Sequence, residues 1–394
     1  MTADRIPDLS LNFYSKAAIR DPRPVYREML EAGPVVRLRR HKVLAVSRHA
    51  DLRRVLKDQE AFPSSGGVTL SPLLNSQSKT AETVLVSDGE AHMRLRKALI
   101  APMRPRALEE IRDRIEKLAV ARVDALIGRG RFEGMEQLAS LLPVSVVAEL
   151  VGLEGAARER MLKWSKATFN MIGAVNLHSL LSLPTVFDML RFQRGFRPEH
   201  AAPGSWVRRL FDLRDTGELT HHQALGMVID YIAPSLDTTI FASGNMLERF
   251  ARHPDQWEKL RANSELVPGA VNEALRIDPV IRAFSRLAAR EAVVDGVTIR
   301  EGERLLVVFG AANADPRRYE DPDQFDITRD ARDHMAFGHG VHACAGAGLA
   351  RLEMEVLLRA LLERVARIEV GKPTSAMNNT LFGFKKLPLE LVSA

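Results

Sequence analysis

Residues 337–346 read FGHGVHACAG and hold the only cysteine of a 394-residue chain, beside two histidines and three glycines. A chain with one thiol forms no internal disulfide, so its fold must rest on a buried apolar core, and a reducing compartment suits it. The segment runs straight into residues 346–365, where Leu349, Leu352, Val356, Ala360 and Leu361 recur at helical spacing. A thiolate just ahead of a helix start lies near free backbone N–H groups and the positive end of the helix dipole. Both stabilise the anion that a metal ligand must be. Gly338 and Gly340 permit a tight backbone turn around the sulfur. A lone cysteine is otherwise an ordinary small buried hydrophobe. A zinc site built from His334, His339, His342 and Cys344 lacks any standard ligand spacing, and no second CxxC or HxxxH pair exists.

Elsewhere helical patterns dominate. Residues 107–127 place Ile111, Ile115, Leu118, Ala125 and Leu126 near one face, and Gly128 ends the pattern. A long helical segment spans 224–250. Strand signals are fewer. Val35–Leu38 and Val43–Val46 flank a polar turn, and Ala292–Val294, Val297–Ile299 and residues 304–309 are separated by Asp295-Gly296 and Glu301-Gly302. The expected fold class is therefore mainly α with small β-sheets at the N-terminal edge and around 280–310. Residues 63–79 and 194–204 read as loops, and neither looks like a domain linker. With 46% hydrophobic and 27% charged residues the composition is ordinarily globular. No run of about 18 apolar residues marks a membrane span, and the N-terminus does not read as a signal peptide. The net charge of +6 comes from 56 basic residues scattered among 50 acidic ones. That pattern argues against a nucleic-acid footprint and fits a docking face for an acidic protein.

Phe337, Gly340, Cys344 and Gly346 match the pattern Phe-x-x-Gly-x-x-x-Cys-x-Gly, which resembles the haem-binding loop of cytochromes P-450. Three further motifs agree with it in order. His92-Met-Arg-Leu-Arg96 resembles the family's propionate-binding helix, with both end residues on one face. Asp237-Thr238 resembles its acid–alcohol pair, and Glu273-Ala-Leu-Arg276 its ExxR helix. The resemblance covers essentially the whole chain. It implies a single domain over 1–394, a triangular prism of helices around a buried haem, and a cytoplasmic enzyme of the soluble bacterial branch.

The resemblance further implies heme b with Cys344 as axial ligand of the iron, and His92, Arg96, Arg286 and His342 as propionate contacts. Phe337 and Gly346 shape the haem loop. Thr238 would donate a hydrogen bond in the oxygen pocket, while Asp237 relays protons from water. Pro234 and Ser235 replace the small residue and glycine usual before the acid, and the proline should kink the helix. The ExxR pair would join an arginine from a later meander, residues 315–325 or near them, whose identity stays open. The implied reaction inserts one atom of O2 into a small organic substrate. Two electrons from NAD(P)H would arrive through a ferredoxin and its reductase, because the chain carries no GxGxxG fingerprint of its own. Arg94, Lys97, Arg104 and Arg351 are candidates for that docking face. Other outcomes of the same loop are a peroxygenase or isomerase, against which the Asp237-Thr238 pair argues, and a haem sensor.

Segments 63–79, 165–205, 280–284 and 381–384 and the central helix should line the substrate pocket with apolar side chains, suiting a small hydrophobic or aromatic substrate. The sequence resembles proteobacterial members that oxidise para-substituted benzoic acids with the help of a basic residue in the first loop. Here that stretch reads Ser64-Ser65-Gly66-Gly67, with nothing basic before Lys79, and Asp230 would repel a carboxylate if it faced the pocket. The expectation is a neutral aromatic such as an alkoxyphenol.

Overall fold

The computed structural model describes residues 6–78, 82–153 and 155–394. The hairpin forms as the pattern requires, pairing Val35 with Val46 and Leu38 with Val43. Asp295 and Gly296 take φ of 44° and 79°, the two positive values of a two-residue hairpin turn, and join Ala292–Val294 to Val297–Ile299.

The two β regions are one layer. Arg304–Val307 runs parallel to Val43–Val46, and Phe284–Leu287 adds antiparallel on its far side. The result is a five-stranded sheet with Asp8–Leu9 at the other edge. The strand starting at Arg304 ends at Val307, and Phe309 opens a short helix, Phe309–Asn313, instead of extending it. A second group of strands went unseen in the sequence. Val365–Val370 pairs with Pro388–Ser393, which also pairs with Phe132–Glu133, and Thr374–Ser375 pairs with Phe384–Lys386.

Helices build the rest. Pro105–Leu126 buries Leu108, Ile115, Ala119, Val123 and Leu126, while Ala125 from the expected face is exposed. Ala347–Leu362 buries Leu349, Leu352, Val356, Ala360 and Leu361 together with Met354, Leu357 and Leu358, while Arg351, Glu355 and Arg359 are only half-buried. Its wide apolar face packs against Pro105–Leu126, Val267–Ile277 and Asp237–Arg252.

The central segment is broken, not merely kinked. His221–Ile232 and Asp237–Arg252 are separate helices with residues 233–236 between them. Pro234 offers no N–H to the carbonyl of Asp230. Two hydroxyls take over freed carbonyls: Ser235 Oγ donates to Tyr231 O, and Thr238 Oγ1 donates to Pro234 O at 2.7 Å.

Residues 63–79 also differ from expectation. Ser64–Gly66 is a 3₁₀ turn and Pro72–Ser78 a helix, with Pro72 at its start and the Leu74 N–H donating to Ser71 Oγ at 3.4 Å. The Asn75 side chain folds back on Thr69, accepting from its N–H and donating to its carbonyl. Lys79 lies outside the described residues. In residues 194–204, Arg194 ends the helix Leu177–Arg194, Pro198–His200 is a 3₁₀ turn and Ala201 bridges Leu153.

Candidate active site

Cys344 sits in the turn just before Ala347–Leu362. Its N–H donates to Phe337 O at 2.8 Å, and that bond closes the loop. Gly340 holds φ of 76°, and a Cβ there would stand 2.8 Å from Leu56 O, so both conformation and space demand glycine. The thiol is free and accessible, yet deep enough that burial pushes its pKa up. Against burial act hydrogen bonds from the N–H groups of Gly346 and Ala347 and the charges of Arg96 and Arg351. Every one of these favours a thiolate.

One helix and one strand bring basic side chains to this loop. Arg96, on Gly89–Ile100, donates to Ala343 O at 2.7 Å. His92, one turn earlier, is buried with its ring centroid 4.1 Å from that of His342. Burial, with His342 and Arg96 beside it, pushes His92 down to about 4. Its Nε2 makes no hydrogen bond among the described residues. Arg286 is buried on Phe284–Leu287 and, among the described residues, hydrogen-bonds only its neighbour's carbonyl, Ser285 O, while burial pushes it down to about 10 against the pull of Asp88. The His342 Nε2 lies 3.1 Å from Asp88 Oδ1.

Asp88 is a site residue that the sequence reading missed. Burial would raise its pKa, but hydrogen bonds from His342 and from the N–H groups of Ser65 and Ser64 hold it well below the usual carboxylate range. Its position immediately before the helix starting at Gly89 was the available signal.

A thiol held by N–H donors, a buried guanidinium with no carboxylate contact among the described residues and a buried imidazole nitrogen without a partner among them fit a haem. Its iron would be held by Cys344 and its two carboxylates by these basic side chains. Zinc has no such support: His334 Nδ1 accepts from Ala336 N and His339 Nε2 from Arg53, and no three metal-binding side chains converge among the described residues.

Phe337 lends its carbonyl to Cys344 and its ring to Arg351, whose guanidinium carbon stands 4.6 Å from the ring centroid. Arg351 also donates to Asn272 Oδ1 at 3.1 Å, so it braces the loop and is not free for docking. Arg94, Lys97 and Arg104 instead line one groove of about 490 Å³ with Arg209 and Leu213.

Asp237 opens the helix Asp237–Arg252 and is buried, which pushes its carboxyl up to about 6. The Ser165 hydroxyl and Lys166 face it and act the other way, although neither Asp237 Oδ2 nor Ser165 Oγ completes a hydrogen bond. Thr238 spends its one hydroxyl proton on Pro234 O, so in this conformation it accepts where donation was expected.

The ExxR pair is wholly buried. Arg276 donates to both Glu273 oxygens at 2.7 and 2.8 Å and to the carbonyls of Asn313, Pro322 and Gln324. The third partner is Arg329, 3.3 Å from Glu273 Oε1 and just beyond the 315–325 segment.

The expected pocket segments converge. Ile281 bridges Leu381, Ser285 Oγ donates to Thr69 O at 2.6 Å, and Leu70 N donates to Ile172 O at 3.4 Å. Asn379 binds Asn170 and Asn176, joining the 381–384 turn to Gly155–Ile172 and Leu177–Arg194.

Residues 207–391 match the family model described as Cytochrome P450. The chain is 36% identical to cytochrome p450 CYP199A2 of Rhodopseudomonas palustris, over 99% of this chain and 95% of that protein. It is 32% identical to the cytochrome P450 monooxygenase PikC of Streptomyces venezuelae, over 97% and 94%. Among solved structures, P450BioI in complex with an acyl carrier protein bearing hexadec-9Z-enoic acid superposes with a TM-score of 0.84 at 26% identity. That match covers 95% of this chain and all of that one. No helix among the described residues is long and apolar enough to cross a membrane.

Proposed function

We propose, since this chain belongs to the cytochrome P450 family of monooxygenases, that it oxidises a small neutral aromatic by hydroxylation or oxidative O-demethylation. The balance is R–H + O2 + two electrons + two protons giving R–OH + water. A haem bound at Cys344 supplies the redox and oxygen chemistry. The observation that carries the reading is the thiol: free, accessible, braced by two N–H groups and flanked by Arg96 and Arg351.

The chain's own residues manage charge, protons and access. Gly346 and Ala347 favour the anionic form of the sulfur through their N–H groups, against burial. His92, Arg96 and Arg286 supply positive or donor groups for two carboxylates that would otherwise be costly to bury. Asp237, pushed up to about 6, both gives and takes a proton near neutral pH, with Ser165 as its neighbour towards Lys166. Thr238 presents acceptor lone pairs beside the helix break. The electron donor is an acidic ferredoxin with its reductase, docking on the groove of Arg94, Lys97, Arg104 and Arg209. None of the four makes an ion pair among the described residues, so their charge is available to a partner. The substrate reading rests on the apolar segments that meet at Ile281 and Leu381, and on a first loop, Ser64-Ser65-Gly66-Gly67, without a base to hold a carboxylate.

The test is the spectrum of the reduced protein under carbon monoxide. The strongly red-shifted Soret band of thiolate-ligated haem is expected, and Cys344→Ser should abolish it. A histidine-like carbonyl spectrum would discard the monooxygenase reading, and a well-folded protein that takes up no haem when supplied would overturn the site.

A further inference from the structure

We propose that Arg304 is a positioning residue that holds residues 64–70 as a fixed wall of the ligand space, and so sets how tightly ring-bearing molecules fit there. This rests on the monooxygenase reading above and deepens it. Arg304 opens the strand Arg304–Val307, opposite Leu287. Its Nη1 donates to Gly67 O at 3.0 Å, to Thr69 O at 3.2 Å and to Ser285 Oγ at 2.9 Å, and its Nη2 donates to Gly66 O at 3.0 Å. Ser285, on the adjacent strand, completes the row. Its N–H donates to Val68 O at 2.9 Å and its Oγ to Thr69 O at 2.6 Å. Four consecutive carbonyls, from residue 66 to residue 69, are thus taken by two residues of the sheet. A guanidinium is a planar fork of donors, so it fixes the direction of these carbonyls as well as their distance. Its acceptors here are uncharged oxygens, so Arg304 shapes backbone where most arginines pair with an acid.

The segment is tied down at both ends as well. Asp88 accepts from Ser64 N at 3.1 Å and Ser65 N at 2.7 Å, and it also meets His342 of the cysteine loop. Thr69 N donates to Asn75 Oδ1, and Leu70 N to Ile172 O at the end of Gly155–Ile172. Residues 64–70 therefore run from the cofactor loop to a helix expected to line the pocket. Packing leaves no slack along the way. A Cβ on Gly66 would stand 2.9 Å from Leu287 Cβ, and one on Gly67, whose φ is 92°, would stand 2.2 Å from Asn75 Cγ.

Moving a segment tied in this way means breaking hydrogen bonds that hold it to the sheet. Without Arg304, Gly66 O and Gly67 O lose this donor, and Ser285 alone grips the middle of the loop. A loop freed there must be ordered again whenever a ring packs against it, and that ordering is lost from the affinity.

The experiment pairs spectral titration of the haem-loaded enzyme with hydrogen exchange on the same samples. The ligands are imidazole and 4-phenylimidazole: both bind iron through nitrogen, and only the second carries a ring that needs a wall. Arg304→Ala should cut the preference for 4-phenylimidazole over imidazole at least tenfold while imidazole affinity stays within twofold. General damage to the fold would move both ligands alike. Amides of residues 64–70 should exchange at least tenfold faster, with those of Val365–Val370 unchanged. Arg304→Lys keeps the charge but not the fork, so it should show the same loss, and it serves if the alanine variant does not fold. Either readout unchanged in a folded variant overturns the proposal. The carbon monoxide spectrum separates the two claims. With the thiolate band present and the preference unchanged, only the positioning role falls. With no haem band in the unmodified protein the monooxygenase reading falls, and hydrogen exchange still decides whether Arg304 holds the loop.

Discussion

Glu353→Gln should make the enzyme more resistant to alkali, by an amount set by the burial of one carboxyl. Glu353 lies on Ala347–Leu362, is 1% exposed, and neither of its carboxyl oxygens has a hydrogen-bond partner among the described residues. Burial alone pushes it from 4.5 up to about 8. The folded protein therefore keeps a proton that the unfolded chain releases above pH 4.5. Stability is fully present below 4.5, falls as pH rises, and levels off above about 8. A tenfold change in proton affinity is worth about 1.4 kcal/mol, so the total loss is about 5 kcal/mol, of which about 4 kcal/mol falls between pH 5 and pH 9. Glutamine does not titrate and removes that loss. Urea unfolding of the haem-loaded protein and the variant, followed by tryptophan fluorescence at pH 5, 7 and 9, measures the difference. The buried Trp164 and Trp257 report on the core. The variant should gain on the parent by about 4 kcal/mol across that range. A difference constant to within about 1 kcal/mol would mean that Glu353 is ionised or partnered, and would refute the reasoning.

Other perturbations address the site. Arg276→Lys replaces a guanidinium with five acceptors by a point charge, and should cost about 3–5 kcal/mol with loss of bound haem, read by urea midpoint and haem content. A cost under about 1 kcal/mol would remove the structural role. Asp237→Asn should lower turnover about 100-fold. It should also flatten the decline that the parent shows as pH rises through about 6, where the raised acid loses its proton. A variant with the parent's pH profile would exclude Asp237 as the relay. Lys97→Glu should slow association with an acidic ferredoxin about tenfold and weaken its salt dependence without altering substrate affinity. An unchanged rate would move the docking face elsewhere.

The sequence alone determined what is local. The cysteine loop, the hairpin Val35–Leu38/Val43–Val46, the Asp295-Gly296 turn and the buried face of Ala347–Leu362 are each written within a few residues, because turn chemistry and helical periodicity are short-range. Proline at 234 likewise announced a disturbance, and the surrounding hydroxyls turned it into a full break.

Only the tertiary structure decided what meets what. Leu44 pairs with Leu305 across most of the chain, and no periodicity records such a register. Short strands such as Phe132–Glu133 and Thr374–Ser375 carry too few residues for an alternating pattern and exist because their partners do. Glu273-Arg276 reads as an ordinary surface pair until Arg329 and three carbonyls close over it. Asp88 against His342 and Asp230 against Val84 are meetings of this kind. An acid's role follows from the groups that face it, and these are brought together only when distant segments pack.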